Sequence, residues 1–231
     1  MTANDYFSPE LSSQYDRKIR ASIPGYEALH AMTHDFLGLA LPETANILVV
    51  GAGTGMELVT LGLAHPHWLF TAVDLSKDMI AICRNAVSAE GLNDRVRIHH
   101  GKTDELPQNE FYDAATSILV SHFILSREEK TAHFEAISAL LRPAAPLITA
   151  DLVAKTDNPH FEYFIKVWLT HKVNSGMSKK EVEDDFERSR KAVSFIPEDE
   201  YCDILKKTGF ADIHQFYRAL LFCGWICKKS C

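Results

Sequence analysis

The chain has 231 residues, 46% of them hydrophobic and 24% charged, with a formal net charge of -7. That size and apolar content suffice for one domain with a sizeable core, and the negative balance offers no general attraction to phosphate backbones, so a nucleic-acid partner is not expected. Residues 1–20 are polar with no signal-peptide core, and no apolar run approaches membrane-spanning length, which predicts a cytoplasmic protein away from membranes. Five cysteines (Cys83, Cys202, Cys223, Cys227 and Cys231) include no C-x-x-C pair, so neither a disulfide framework nor a zinc ribbon is indicated, and no metal ligand set stands out.

Apolar residues at helical spacing predict a helix over 26–41, ended by Pro42-Glu43-Thr44 before a first strand at about 46–50. A crossover helix over 56–64 leads to a second strand over 68–73, and a helix over 77–90 stops at Gly91. Residues 95–99 read as strand three, 112–120 as strand four, 127–141 as a helix, and 147–152 as strand five. This rhythm predicts an α/β fold with a doubly wound, mostly parallel, seven-stranded Rossmann-like sheet. Two extended runs near the end, 211–217 and 219–228, are separated only by Arg218, too short a link for a parallel crossover, so they should form an antiparallel hairpin. Before the hairpin lies an insertion, with Phe161, Tyr163, Phe164 and Trp168 followed by the charged run 179–190. It should place helices over the carboxyl edge of the sheet. The expected organisation is one domain over 1–231, with a helical cap at 1–45 and a helical lid at 155–196.

The chemistry concentrates where strand one, Ile47-Leu48-Val49-Val50, breaks into Gly51-Ala52-Gly53-Thr54-Gly55. Three alternate glycines bring backbone close to a ligand. Asp74 follows the second apolar run, 23 positions after Gly51, and suits a carboxylate bonded to ribose hydroxyls. A dinucleotide loop would need a third glycine where Met56 stands, which counts against a nicotinamide oxidoreductase. The pattern resembles motif I of class I S-adenosylmethionine-dependent methyltransferases, and an antiparallel C-terminal hairpin is also a mark of that family.

The resemblance implies S-adenosylmethionine as cofactor, with S-adenosylhomocysteine as product. Backbone at Gly51, Ala52, Gly53 and Gly55 would face the methionyl tail, and Asp74 the ribose. Asp74-Leu75-Ser76-Lys77-Asp78-Met79 resembles the family's D-x-S-x-x-M pattern, in which Leu75 and Met79 pack on the adenosine. Residues 101–107 resemble its adenine-binding G-D-A-x-x-L-P loop with Lys102 replacing the acid, so Thr103 or Asp104 would substitute for it. A second departure is Val49, at a place where the family commonly has an acidic residue. Arg20-Ala21-Ser22-Ile23-Pro24-Gly25-Tyr26 resembles the R-S-x-P-G-Y segment of the carboxy-S-adenosylmethionine synthase branch, which makes Tyr26 a donor contact. That branch holds the added carboxylate with an arginine of the insertion, here Arg188 or Arg190, and its strand-four asparagine falls at Ile118 or Ser117.

The preferred reading is in-line methyl transfer to a small-molecule acceptor. The absence of an Asn-Pro-Pro-Tyr-type motif after strand four fits it. His122, just beyond strand four, is the foremost candidate base, with His171 in the insertion as another. The alternatives are a synthase using prephenate and a noncatalytic donor-binding module. A homodimer is left open.

Overall fold

Alternation of apolar side chains builds the sheet outward from strand β1 (Asn46–Val50), where Ile47 and Val49 enter one core and Leu48 and Val50 the other. The computed structural model describes residues 9–231, with side chains from residue 14 onward, so the first eight residues of the cap expected over 1–45 lie outside the described residues. The further strands are β2 (Leu69–Asp74), β3 (Val96–His100), β4 (Ala114–Ile118), β5 (Pro146–Leu152), β6 (Phe210–Ala219) and β7 (Phe222–Lys229). They form one seven-stranded sheet in the order β3-β2-β1-β4-β5-β7-β6, parallel except where β7 pairs antiparallel with β5 and β6.

Helices α1 (Pro9–Ser22) and α2 (Tyr26–Ala40) precede β1. The crossover helices are α3 (Met56–Ala64), α4 (Lys77–Ala89) and α5 (Arg127–Leu140). One sheet face is covered by α2, α3 and α4 through Leu29, Leu58, Leu61, Cys83 and Val87. The other is covered by α5 and by α8 (Glu198–Lys207) through Phe134, Ile137, Leu140, Ile204 and Leu205. The insertion folds as α6 (Phe161–Asn174) and α7 (Lys179–Ala192), and the latter opens with a capping box between Ser178 and Glu181. Trp168 of α6 donates its indole N–H to Ser22 O of α1 at 2.6 Å and packs on Phe222, which ties α1, the insertion and the sheet together.

Three sequence expectations are corrected. Strand four stops at Ile118, because Leu119 adopts φ 62 and turns the chain out of the sheet; Tyr112, expected in that strand, forms only an isolated bridge with Leu141. The hairpin turns at Leu220-Leu221, not at Arg218, which remains paired with Cys223 in β6. Leu220 takes φ 53 there, a conformation for which Leu-Leu carries no sequence signal. Helices α1 and α8 were not anticipated as separate elements, although α8 has the acidic first turn and lysine-rich last turn of a regular helix.

Trp225 of β7 stacks on Tyr201 of α8 with ring centroids 4.7 Å apart, and both are fully buried. Truncating it leaves a cavity between sheet and helix. Trp225→Ala is expected to cost about 3–5 kcal/mol, read as a lower urea midpoint with an unchanged slope.

Candidate active site

Strand β1 runs into the glycine loop, and all three of its glycines have positive φ: 72 at Gly51, 55 at Gly53 and 88 at Gly55. At Gly51 a Cβ would stand 2.2 Å from Val120 Cγ2, and at Gly55 it would stand 3.0 Å from Cys83 Sγ, so both positions are closed by their neighbours. Gly53 differs. Only its own loop carbonyl lies near, at 3.9 Å, so its backbone faces open space. The loop is pinned to β2: Gly51 and Ala52 donate to Val73 O at 2.8 and 3.1 Å, and Gly53 donates to Asp74 Oδ2 at 2.8 Å.

Asp74 Oδ1 accepts the Ser76 amide at 2.8 Å. Burial raises the Asp74 pKa, and the amides of Ser76 and Gly53 pull against that rise. Each carboxylate oxygen has lone pairs beyond the one used by an amide, so both can still accept hydroxyl donors. Leu75 is exposed beside it, whereas Met79 is buried under the Ser76 cap of α4. The loop after β3 is drawn to the same place by Gly101 N donating to Asp74 O at 3.0 Å, with Thr103 buried and Lys102 and Asp104 exposed around its 3₁₀ turn.

On the β4 side, the turn at Leu119 sends the chain back so that His122 meets Asp151 of β5. His122 Nδ1 lies 2.6 Å from Asp151 Oδ1, and the same oxygen accepts the amides of His122 at 3.1 Å and Leu152 at 2.7 Å. Ser121 Oγ donates to Asp151 Oδ2, and the buried Lys130 ammonium donates to Ser121 O. Burial pushes the Asp151 carboxyl up, but His122, Lys130 and Ser121 outweigh it and hold the group below its ordinary range. A carboxylate on Nδ1 keeps the proton there and leaves Nε2 as the nitrogen open to a substrate. His122 lines a cavity of about 80 Å³ beneath α6 and α7, with Ile23, Leu119, Trp168, Lys172, Asp185 and Phe222 among its walls.

Residues 47–144, from β1 to the turn before β5, match the family described as methyltransferase domain. This stretch of the chain is similar to methyltransferase domains. Its sequence relatives include carboxy-S-adenosyl-L-methionine synthases of Campylobacter hominis, 26% identical over 96% of this chain and 94% of that protein, and of Alteromonas mediterranea, 24% identical over 97% and 92%. Among solved structures, magnesium protoporphyrin IX methyltransferase from Synechocystis with bound S-adenosylhomocysteine superposes with a TM-score of 0.66 at 16% identity, over 98% of each chain. A putative O-methyltransferase from Nostoc punctiforme gives a TM-score of 0.68 at 11% identity, over 96% of this chain and 59% of that one. At such identities the structures show a shared fold.

The remaining candidate residues divide. Tyr26 is buried at the start of α2, next to Gly25 at φ 73, with the Arg20 guanidinium 5.7 Å from its ring centroid. Burial, with Asp16 adding to it, raises its phenol pKa. Ser117, expected at the donor, instead faces α5, with its Oγ 3.1 Å from His133 Nε2. His171 pairs along its own helix with Ser175 at 3.3 Å and is not among the lid-cavity walls. Arg190 points to Glu187 on the exposed side of α7, 3.4 Å away. Arg188 stands beside Asp185 at 3.4 Å, and Asp185 is also paired with the buried Lys172. A wider groove of about 560 Å³ lies at the opposite, amino edge, where Arg95 is used up on the Gly62, His65 and Trp68 carbonyls and Arg97 on Glu110.

Asp151 and Glu57 were not singled out in the sequence, because a buried strand position and an acid in the first turn of a helix give no sign of a polar site. Burial pushes the Glu57 carboxyl up to about 7, opposed by the Thr116 hydroxyl. A carboxyl raised in the folded state contributes its stability below the unfolded value of 4.5 and loses it as pH climbs through about 7. Glu57→Gln is therefore expected to stabilise the ligand-free protein at pH 8, by up to about 3 kcal/mol. The gain should vanish near pH 4, as thermal melts across that range would show.

Proposed function

We propose that this protein transfers the methyl group of S-adenosylmethionine to a small-molecule acceptor bound under the α6–α7 lid. The observation that carries this reading is His122, oriented by Asp151, facing the lid cavity next to the loop that closes on Gly51. In this reading the domain spans 1–231, with 1–45 as cap and 155–196 as lid. It works in the cytoplasm without nucleic acid, and a homodimer is compatible with it.

Asp74 takes the ribose hydroxyls, the backbone from Gly51 to Gly55 borders the amino-acid tail, and Leu75 offers an apolar face to the adenine. Met79 supports that face from beneath, Thr103 and its neighbours Lys102 and Asp104 border the ring, and Tyr26 closes the cap side. The acceptor heteroatom attacks the methyl carbon in line, the carbon–sulfur bond breaks with its electrons passing to sulfur, and S-adenosylhomocysteine leaves. The acceptor proton passes to His122 Nε2, and the Asp151 carboxylate stabilises the imidazolium. Alignment and exclusion of water under the lid supply much of the rest.

His122→Asn is expected to lower kcat by about 10²–10⁴-fold while donor affinity stays unchanged in calorimetry. Equal turnover in the variant overturns the assignment of the base. Asp74→Asn, in contrast, should weaken S-adenosylhomocysteine binding by about 10-fold or more, through loss of charged hydrogen bonds to the ribose.

A second reading is supported by relatives that span 96% of the chain and by the cationic pair Lys172 and Arg188 at the lid. There the protein makes a carboxylated donor from prephenate, and Arg188 holds the new carboxylate. Mass spectrometry of the small molecule that copurifies separates the two, since a carboxylated donor supports the second and S-adenosylmethionine or S-adenosylhomocysteine the first. Binding without turnover of any acceptor or of prephenate would support a donor-binding module.

A further inference from the structure

Glu57 is an acid that neither the ribose contact nor the base uses. It is the second residue of α3, the helix that leaves the glycine loop. Its Oε1 is closed to solvent and makes no full hydrogen bond, and the same holds for Thr116 Oγ1, the hydroxyl that acts on it. Thr116 pairs with Val49 in the β1–β4 register, and directly paired residues point to one face of a sheet. Glu57 thus reaches over the face that Val49 covers, two residues before Gly51. The sequence resemblance calls for an acid at Val49, and the valine supplies none.

A donor with an amino-acid tail brings an α-ammonium group, which needs an anionic partner when it leaves water. The other acids around the loop each hold at least one donor from the protein, whereas Glu57 Oε1 holds none. Asp74 accepts the Gly53 and Ser76 amides, and Asp16 accepts the Thr54 hydroxyl at 2.7 Å. Building on the donor reading above, we propose that Glu57 receives the α-ammonium of S-adenosylmethionine, the acid having moved from the end of β1 to the first turn of α3. Tyr26 belongs to the same group, since its phenol is coupled to both Asp16 and Glu57. The empty protein then carries a poorly compensated buried carboxyl whose counter-charge arrives with the ligand, which is also why Glu57→Gln stabilises the ligand-free state while impairing binding.

The test compares two ligands with the same nucleoside. S-adenosylhomocysteine has the amino-acid tail, and 5′-methylthioadenosine has none. Calorimetry on Glu57→Gln should show S-adenosylhomocysteine weakened about 10- to 100-fold, the size of a lost charged contact, with 5′-methylthioadenosine unchanged. Unchanged binding of both ligands overturns the proposal, and so does parallel weakening of both, which marks a distorted pocket. If wild-type protein binds neither compound, the donor reading itself fails, an outcome distinct from a wild type that binds both and a variant that does not discriminate.

Discussion

Strands β1 and β4 run side by side in parallel register, yet the helices that follow them pack on opposite faces of the sheet, α3 on one and α5 on the other. The connections that leave their carboxyl ends therefore part, and a crevice opens between them. The crevice is narrow at its root. Val120 lies where a Gly51 side chain would be, so the first glycine is required by the neighbouring strand's exit loop as much as by a ligand. Leu119 at φ 62 is the counterpart after β4, a residue held in the left-handed region by the hydrogen bond its N–H donates to Ala150 O at 2.7 Å. With a smooth exit from β4, His122 would not return to Asp151.

Three buried carboxyls sit around this crevice, and each is compensated to a different degree. Asp151 has four donors from protein and falls below its ordinary range, as befits a fixed structural anion that orients an imidazole. Asp74 has two loop amides and is still raised by burial, so it organises the loop and keeps acceptor capacity. Glu57 has only a hydroxyl beside it. In a medium of low polarity the least satisfied anion gains most from a cationic ligand, so the gradient of compensation runs from scaffold to ligand contact. The insertion follows the same logic, with Lys172 and Asp185 neutralising each other on the cavity wall and Arg188 adding a cation beside them. The segment after the lid is fastened to the site directly, since Ser194 N and Oγ both donate to His122 O, at 2.8 and 3.2 Å.

The sequence by itself determined the sheet, its winding and the glycine loop, because these rest on local signals. Alternating apolar residues, glycines at fixed spacing and an acid at a strand end are physical requirements met within a few residues of one another. It also placed the insertion as helices, His122 just beyond β4, and the paired terminal strands, though not their turn. Only the tertiary structure decided what depends on partners far apart in the chain. Asp151 lies 29 residues from His122, and it reads in sequence as one more position of a buried strand. Ser117 turned toward His133 because strand periodicity fixes that two faces exist without fixing which one meets the ligand. Arg188 and Arg190 are two residues apart on one helix, so only the packing of α7 sets Arg188 beside the buried Asp185 and leaves Arg190 on the solvent side. Glu57 stayed hidden for the same reason, since its environment is made by Thr116 and Tyr26, which only the folded sheet and cap bring to it.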